Sequence, residues 1–198
     1  MPATPRIAFI SSTCRDLLDV RAELARYLTE NGFQVRLSED PSSDFRVDGD
    51  VSTIQSCLNN VETADAIICI PDCRFGWHTT WDGRAEVSAT QIEVLHAQSM
   101  GKPVFFFLRQ PVFAEFEALR NDPSHPARWV ETSDADQRAR WVRFVAQIVD
   151  LPQHAGRSNW CDQFRTIVDL KEIVLKRLID RFPDNALTQA LAPTRFSN

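Results

Sequence analysis

A chain of 198 residues can bury one good core, and 43 % hydrophobic with 25 % charged residues is a globular make-up, neither disordered nor membrane-spanning. A net charge of −5 argues against broad non-specific nucleic-acid binding, and 19 arginines against 3 lysines reads as a compositional bias, not a phosphate-binding patch. Five cysteines without disulfide-like spacing, and no signal peptide ahead of the first strand, read as reduced thiols in a cytoplasmic protein.

In chain order, Arg6–Ser11 predicts a strand and Asp16–Asn31 a helix, with Leu17, Val20, Leu24 and Leu28 on one face and Gly32 as its stop. Phe33–Ser38 alternates as a second strand. Glu39–Gly49 is a polar loop, and Asp50–Glu62 a modest helix. Asp65–Pro71 is apolar and β-branched, hence a central strand. Asp72–Glu86 reads as a long loop carrying two Trp, one Phe, one His and two Arg. Ser88, with Gln91 three residues on, predicts a helix start; Ile92, Leu95, Ala97 and Met100 form its inward stripe, and Gly101 ends it. Val104–Leu108 is a fourth strand, apolar throughout.

Beyond it, Pro111–Arg120 predicts a short helix, Asn121–Thr132 a loop and Ser133–Asp150 a helix. Leu151–Ser158 is a loop, Asn159–Trp160 the start of an edge strand, and Asp162–Phe182 a long amphipathic helix stopped at Pro183. Residues 1–183 thus form one domain and 184–198 a flexible tail. Alternating strands and helices imply a three-layer α/β fold: an open parallel sheet of four to five strands in the flavodoxin-like order 2-1-3-4(-5), with extra C-terminal helices.

Ligands in such sheets bind at the carboxyl ends of the strands where the order reverses, here between the first and third strands. That gathers Ser11, Ser12, Thr13 and Arg15 after the first strand, Asp72 to Trp77 after the third, and Ser88 to Glu93 at the start of the next helix. Hydroxyls and free N–H groups hold phosphate or ribose, and Arg15 and Arg74 neutralise a diphosphate. Phe75 and Trp77 offer faces for a base, and Gly76 permits close backbone approach. Glu93 is the central carboxylate. Beneath a sugar it would stabilise or capture the positive charge that develops as an N-glycosidic bond breaks. Plainer readings exist for each. Ser12, Thr13 and Asp16 could be helix caps, Phe75 and Trp77 could close the sheet end, and a Glu in a second helical turn is usually solvated. His78 and His96 are isolated. Cys69 and Cys73 form a CxxxC pair with no second pair at ligand spacing, so they read as core thiols, and no metal is expected.

Arg6–Arg21 (RIAFISSTCRDLLDVR) resembles the FISST-x-x-DL-x-x-x-R opening of a TIR-like family of unknown function, often found ahead of NACHT-type or repeat-containing signalling regions. Arg74-Phe75-Gly76-Trp77, Ser88-Ala-Thr90-Gln-Ile-Glu93-Val-Leu-His-Ala97 and Gly101-Lys-Pro-Val104 match that family's later motifs in order, and Phe164 with Asp169-Leu170 resembles its closing helix. The helix bearing Glu93 also resembles that of nucleoside 2-deoxyribosyltransferases, keeping Thr90, Glu93 and Ala97 but with Ala89 and Leu95 in place of two glycines. TIR-domain NAD hydrolases place their essential Glu on this helix. The resemblance implies Glu93 as the catalytic residue of a glycohydrolase acting on NAD or a related nucleotide, in bacterial defence or signalling. Ser11, Ser12, Thr13, Arg15, Asp72, Arg74, Phe75, Gly76, Trp77, Ser88 and Thr90 would hold the nucleotide. It implies NAD as substrate, no cofactor, self-association for activity, and a sensor in a separate protein. The acidic balance and the lack of a long apolar run lead to no nucleic-acid or membrane partner being expected. The competing expectation is a non-catalytic interaction module; a third is deoxyribosyl exchange between bases.

Overall fold

The computed structural model describes residues 4–13, 15–40, 42–130, 134–149 and 161–185. Its elements follow in order: β1 (Ile7–Ser12), α1 (Leu18–Glu30), β2 (Gln34–Arg36), α2 (Thr53–Thr63) and β3 (Ala66–Ile70). Next come β4 (His78–Trp81), β5 (Arg84–Ser88), α3 (Ala89–Ser99), β6 (Val104–Arg109), α4 (Gln110–Asn121), α5 (Ala135–Val149), β7 (Cys161–Phe164) and α6 (Ile167–Arg181). Five strands pair in parallel in the order β2-β1-β3-β6-β7, while β4 and β5 form a separate antiparallel hairpin. With the hairpin set aside, this is the expected 2-1-3-4-5 sheet.

Side-chain alternation explains the layers. Ala8, Ile10, Ile68, Ile70, Phe105 and Phe107 pack on Leu17, Leu24 and Leu28 beside α6 residues Leu170, Val174 and Leu178. Phe9, Ile67, Cys69, Phe106 and Leu108 point the other way, against Val61, Val94, Ala97, Phe116, Trp141 and Phe144. Because helices cover both faces, β3 and β6 are apolar at nearly every position. The β2 edge is held by a buried charge: Arg36 donates to the Asn60 carbonyl (2.9 Å), to Thr63 Oγ1 and to Asp44 (3.2 Å).

Several expectations change. The loop expected over Asp72–Glu86 contains the β4–β5 hairpin, turned by Asp82 (φ +48°) and Gly83 (φ +72°) between paired Trp81 and Arg84. Two successive left-handed residues match the right-handed twist of the strands, the reason Asp-Gly suits a two-residue hairpin. The helix expected from Asp162 starts at Ile167. Its leading residues instead extend the sheet, with Phe106 opposite Cys161 and Arg109 opposite Phe164. Thr166 and Asp169 exchange hydrogen bonds of 3.2 Å in a capping box that fixes the new start. In α3, Met100 is 47 % exposed and Val94 takes its place in the core, since Met100 lies at the C-cap, past the covering helices. Helix α1 starts later than expected, its N-cap is Leu17 and no side chain caps it, so Ser12, Thr13 and Asp16 are not capping residues. The expected loop at Leu151–Ser158 and strand start at Asn159–Trp160 lie outside the described residues, as does the tail beyond 185. Asn185, counted in that tail, is buried and accepts from Arg6 N (3.2 Å) while donating to the Gly32 carbonyl (3.2 Å). Among the described residues no helix is long and apolar enough to cross a membrane.

Candidate active site

The last two residues of β1 point to opposite faces of the sheet, and each meets a charge. Ser11 faces α3, where its hydroxyl donates to Glu93 Oε2 at 2.5 Å. Ser12 faces α1 and accepts from Arg21 Nη1 at 2.6 Å. Arg21, 1 % exposed, also forms a two-pronged pair with Glu39 beyond β2, including Nη2 to Oε2 at 2.7 Å. Glu39 is thereby held below its ordinary range: burial pulls its pKa up, but the hydrogen bonds and charge of Arg21 outweigh it.

Glu93 is not the solvated helix residue that its position would ordinarily make it. Helix α3 lies over β1 and β3 with α2 and the hairpin alongside, so Glu93 is only 7 % exposed. Burial pushes its carboxyl up to about 6, against the pull of the Ser11 hydroxyl, the Arg21 charge and a hydrogen bond with Cys57. A group at that value is roughly nine-tenths ionised at pH 7 and exchanges a proton readily near neutrality.

Beside it opens a crevice of about 540 Å³, lined by Ser12, Thr13, Arg15, Arg74, Phe75, Gly76, Trp77, Ala89, Thr90 and Gln137. The three segments that the topology was expected to gather do meet here. Asp72 anchors the middle one, since its carbonyl accepts from Trp141 Nε1 (2.7 Å) and its Oδ2 pairs with Arg109 Nη2 (2.9 Å). The start of α3 is tied to the same loop by Ala89 N donating to the Trp77 carbonyl (3.1 Å). Phe75 is buried in the core and Trp77 is 63 % exposed, so the first closes the sheet end while the second leaves its ring free to stack. Gly76 serves another chain segment: at φ +79°, a Cβ there would sit 2.9 Å from Thr13 Cγ2, so it lets the two loops close on each other.

Four residues expected at the ligand are absent from the crevice wall. Ser11 is spent on Glu93, and Ser88 caps α3 by accepting from Gln91 N at 3.2 Å. Asp72 is 2 % exposed, with its carboxyl pushed up to about 6 by burial; Arg109 opposes the shift and Asp16 adds to it. Glu93 itself lies one helical turn after Thr90, buried and not among the lining residues. Sequence reasoning missed Gln137, for which no local signal exists, because only the return of α5 over the sheet brings it here; Ala89 lies in the expected Ser88–Glu93 segment without having been named as a ligand contact. It also passed over Arg21, although that residue is the last position of the opening signature.

A family model described as "Domain of unknown function (DUF4062)" matches residues 7–179. The chain belongs to the DUF4062 family. No curated protein matches it. Among solved structures, this DUF4062 domain is similar to the Clostridium botulinum CMP N-glycosidase BcmB. The two are 12 % identical, the match covers 87 % of this chain and 99 % of that one, and the TM-score is 0.45.

Proposed function

We propose that this DUF4062 domain is a nucleotide-processing enzyme that cleaves the N-glycosidic bond of NAD or a related nucleotide, with Glu93 acting on the ribose. The observation that carries this reading is the buried Glu93 carboxylate, held by Ser11 at the carboxyl end of β1, raised to about 6 and one helical turn after the lining residue Thr90. A helix interior next to a central strand is an expensive place for a carboxylate with no ion pair among the described residues, and such groups concentrate where chemistry is done.

In this reading Arg15 and Arg74 take the phosphates and Trp77 stacks on the base, while Thr13 and Thr90 offer hydroxyls to the sugar. Glu93 forms a bond to C1′ as the C1′–N bond breaks, and that electron pair leaves with the base. Water then takes the place of Glu93 on C1′ and gives its proton to solvent, restoring the carboxylate. Because Glu93 is buried and does not line the crevice, C1′ reaches it only on a local opening at the start of α3. Self-association, which the TIR-like resemblance implies, would drive that opening, in a defence or signalling setting.

The same recessed position favours a second reading, a non-catalytic interaction module in which the crevice engages a partner and Glu93 only steadies β1. Incubating micromolar protein with NAD, with and without a crowding agent, and following free nicotinamide by chromatography separates the two. Release by the native chain that is lost in Glu93→Gln supports the enzyme. No release under any assembly condition, with self-association intact, supports the module.

A further inference from the structure

At the crevice edge, two loops bring together a second group of side chains that the glycosidic chemistry does not use. Asp16 follows β1, and Asp72 and Cys73 follow β3; one donor atom from each lies within 4.8 Å of the others. Asp72 is 2 % exposed. Its Oδ2 is paired with Arg109 at 2.9 Å, but its Oδ1 is buried with no hydrogen-bond partner, and so is Oδ1 of Asp16. The Cys73 thiol donates to Asp16 Oδ2 at 3.3 Å. Two carboxylates therefore lie close together, each with one buried oxygen that accepts no hydrogen bond, and Arg109 pairs with only one of them. Buried acceptors in native proteins are nearly always satisfied, and a buried like-charged pair needs a positive centre.

We infer that Asp16, Asp72 and Cys73 bind one divalent ion of the zinc and cobalt class. Two carboxylate oxygens and one sulfur are a donor set for a borderline transition ion at three protein positions, leaving a fourth for water. Magnesium is a poorer match, since it takes six oxygens and has no use for a thiol. On binding, the thiol proton now directed at Asp16 passes to solvent and the sulfur binds as thiolate, while Arg109 keeps Oδ2. Arg15 and Arg74, the sequence neighbours of Asp16 and Cys73, line the crevice, so an ion held here would lie close to an anionic ligand bound there. The inference holds whether or not the domain cleaves nucleotides.

The test is titration of the full chain with Co²⁺. The expected result is one equivalent bound, with a near-ultraviolet sulfur-to-cobalt charge-transfer band that Zn²⁺ displaces. The band should vanish in Cys73→Ser, and affinity should fall at least ten-fold in Asp72→Asn and in Asp16→Asn, while Cys161→Ser leaves both unchanged. Asp16 is only partly buried, so its variant serves if Asp72→Asn fails to fold by circular dichroism. No band in the native chain, a band that survives Cys73→Ser, or an undiminished cobalt affinity in Asp16→Asn overturns the inference.

Discussion

Replacing Glu93 by glutamine should make the protein more stable at neutral pH while it removes activity. The folded-state pKa of Glu93 is raised from 4.5 to about 6, so the native state holds that proton more tightly than the unfolded chain. Its contribution to stability is therefore fully present below about pH 4.5 and is lost as the pH rises through 6. A shift of about 1.5 units at 1.36 kcal/mol each amounts to about 2 kcal/mol. Glutamine fills nearly the same volume, still accepts from the Ser11 hydroxyl and never ionises, so Glu93→Gln recovers about 1–2 kcal/mol at pH 7.5. For a domain of this size that is a rise in Tm of roughly 2–8 °C. Differential scanning calorimetry of both proteins from pH 4.5 to 7.5 isolates the effect, because every other titrating group cancels in the difference. The two curves should converge near pH 4.5, separate as the pH rises from there through 6, and keep a constant gap above about 6.5. A variant no more stable than the native chain at pH 7.5, or a difference that does not change with pH, would refute the claim that burial sets this carboxyl.

Other outcomes follow from the same geometry. Ser11→Ala removes the hydroxyl at 2.5 Å from Glu93, which should push that carboxyl above 6 and move the acid limb of any activity profile upward. Gly76→Ala should cost about 1–3 kcal/mol in urea unfolding, from a positive φ together with the close approach to Thr13 Cγ2. Adding Thr13→Ser, which lacks that methyl, should recover only the steric part. Arg15→Ala and Arg74→Ala should each weaken nucleotide binding about ten-fold by calorimetry, with a loss that shrinks as salt is raised, whereas equal affinity at low salt would remove both from the phosphate site.

The sheet was legible because β3 and β6 are apolar at almost every position, a pattern that only a strand covered on both faces needs, and because short αβ connections force right-handed crossovers. The crevice followed from strand order alone, and Thr13, Arg15, Arg74, Trp77 and Thr90 all line it. The hairpin was missed although Asp82-Gly83 is a strong two-residue turn signal; the aromatic side chains around it drew the reading towards a binding loop. The start of α6 was misplaced because Asp162 and Phe164 fit a helical period as well as a strand, and only the exposed edge of β6 decides between them. Burial of Glu93 was not legible at all. Nothing local distinguishes it from a solvated helix carboxylate, and its environment is set by Ser11 and Cys57, which lie 82 and 36 positions away in the chain.

The most direct test of the central claim is the pH dependence of base release from NAD by the assembled full chain, measured between pH 5 and 8 within the stable range. If Glu93 must be ionised to act on the ribose, the rate should rise about ten-fold from pH 5 to a plateau above 7, with its midpoint near 6, and Glu93→Gln should release no base at any pH. Release that is flat across this range, or that persists in the variant, would contradict the account.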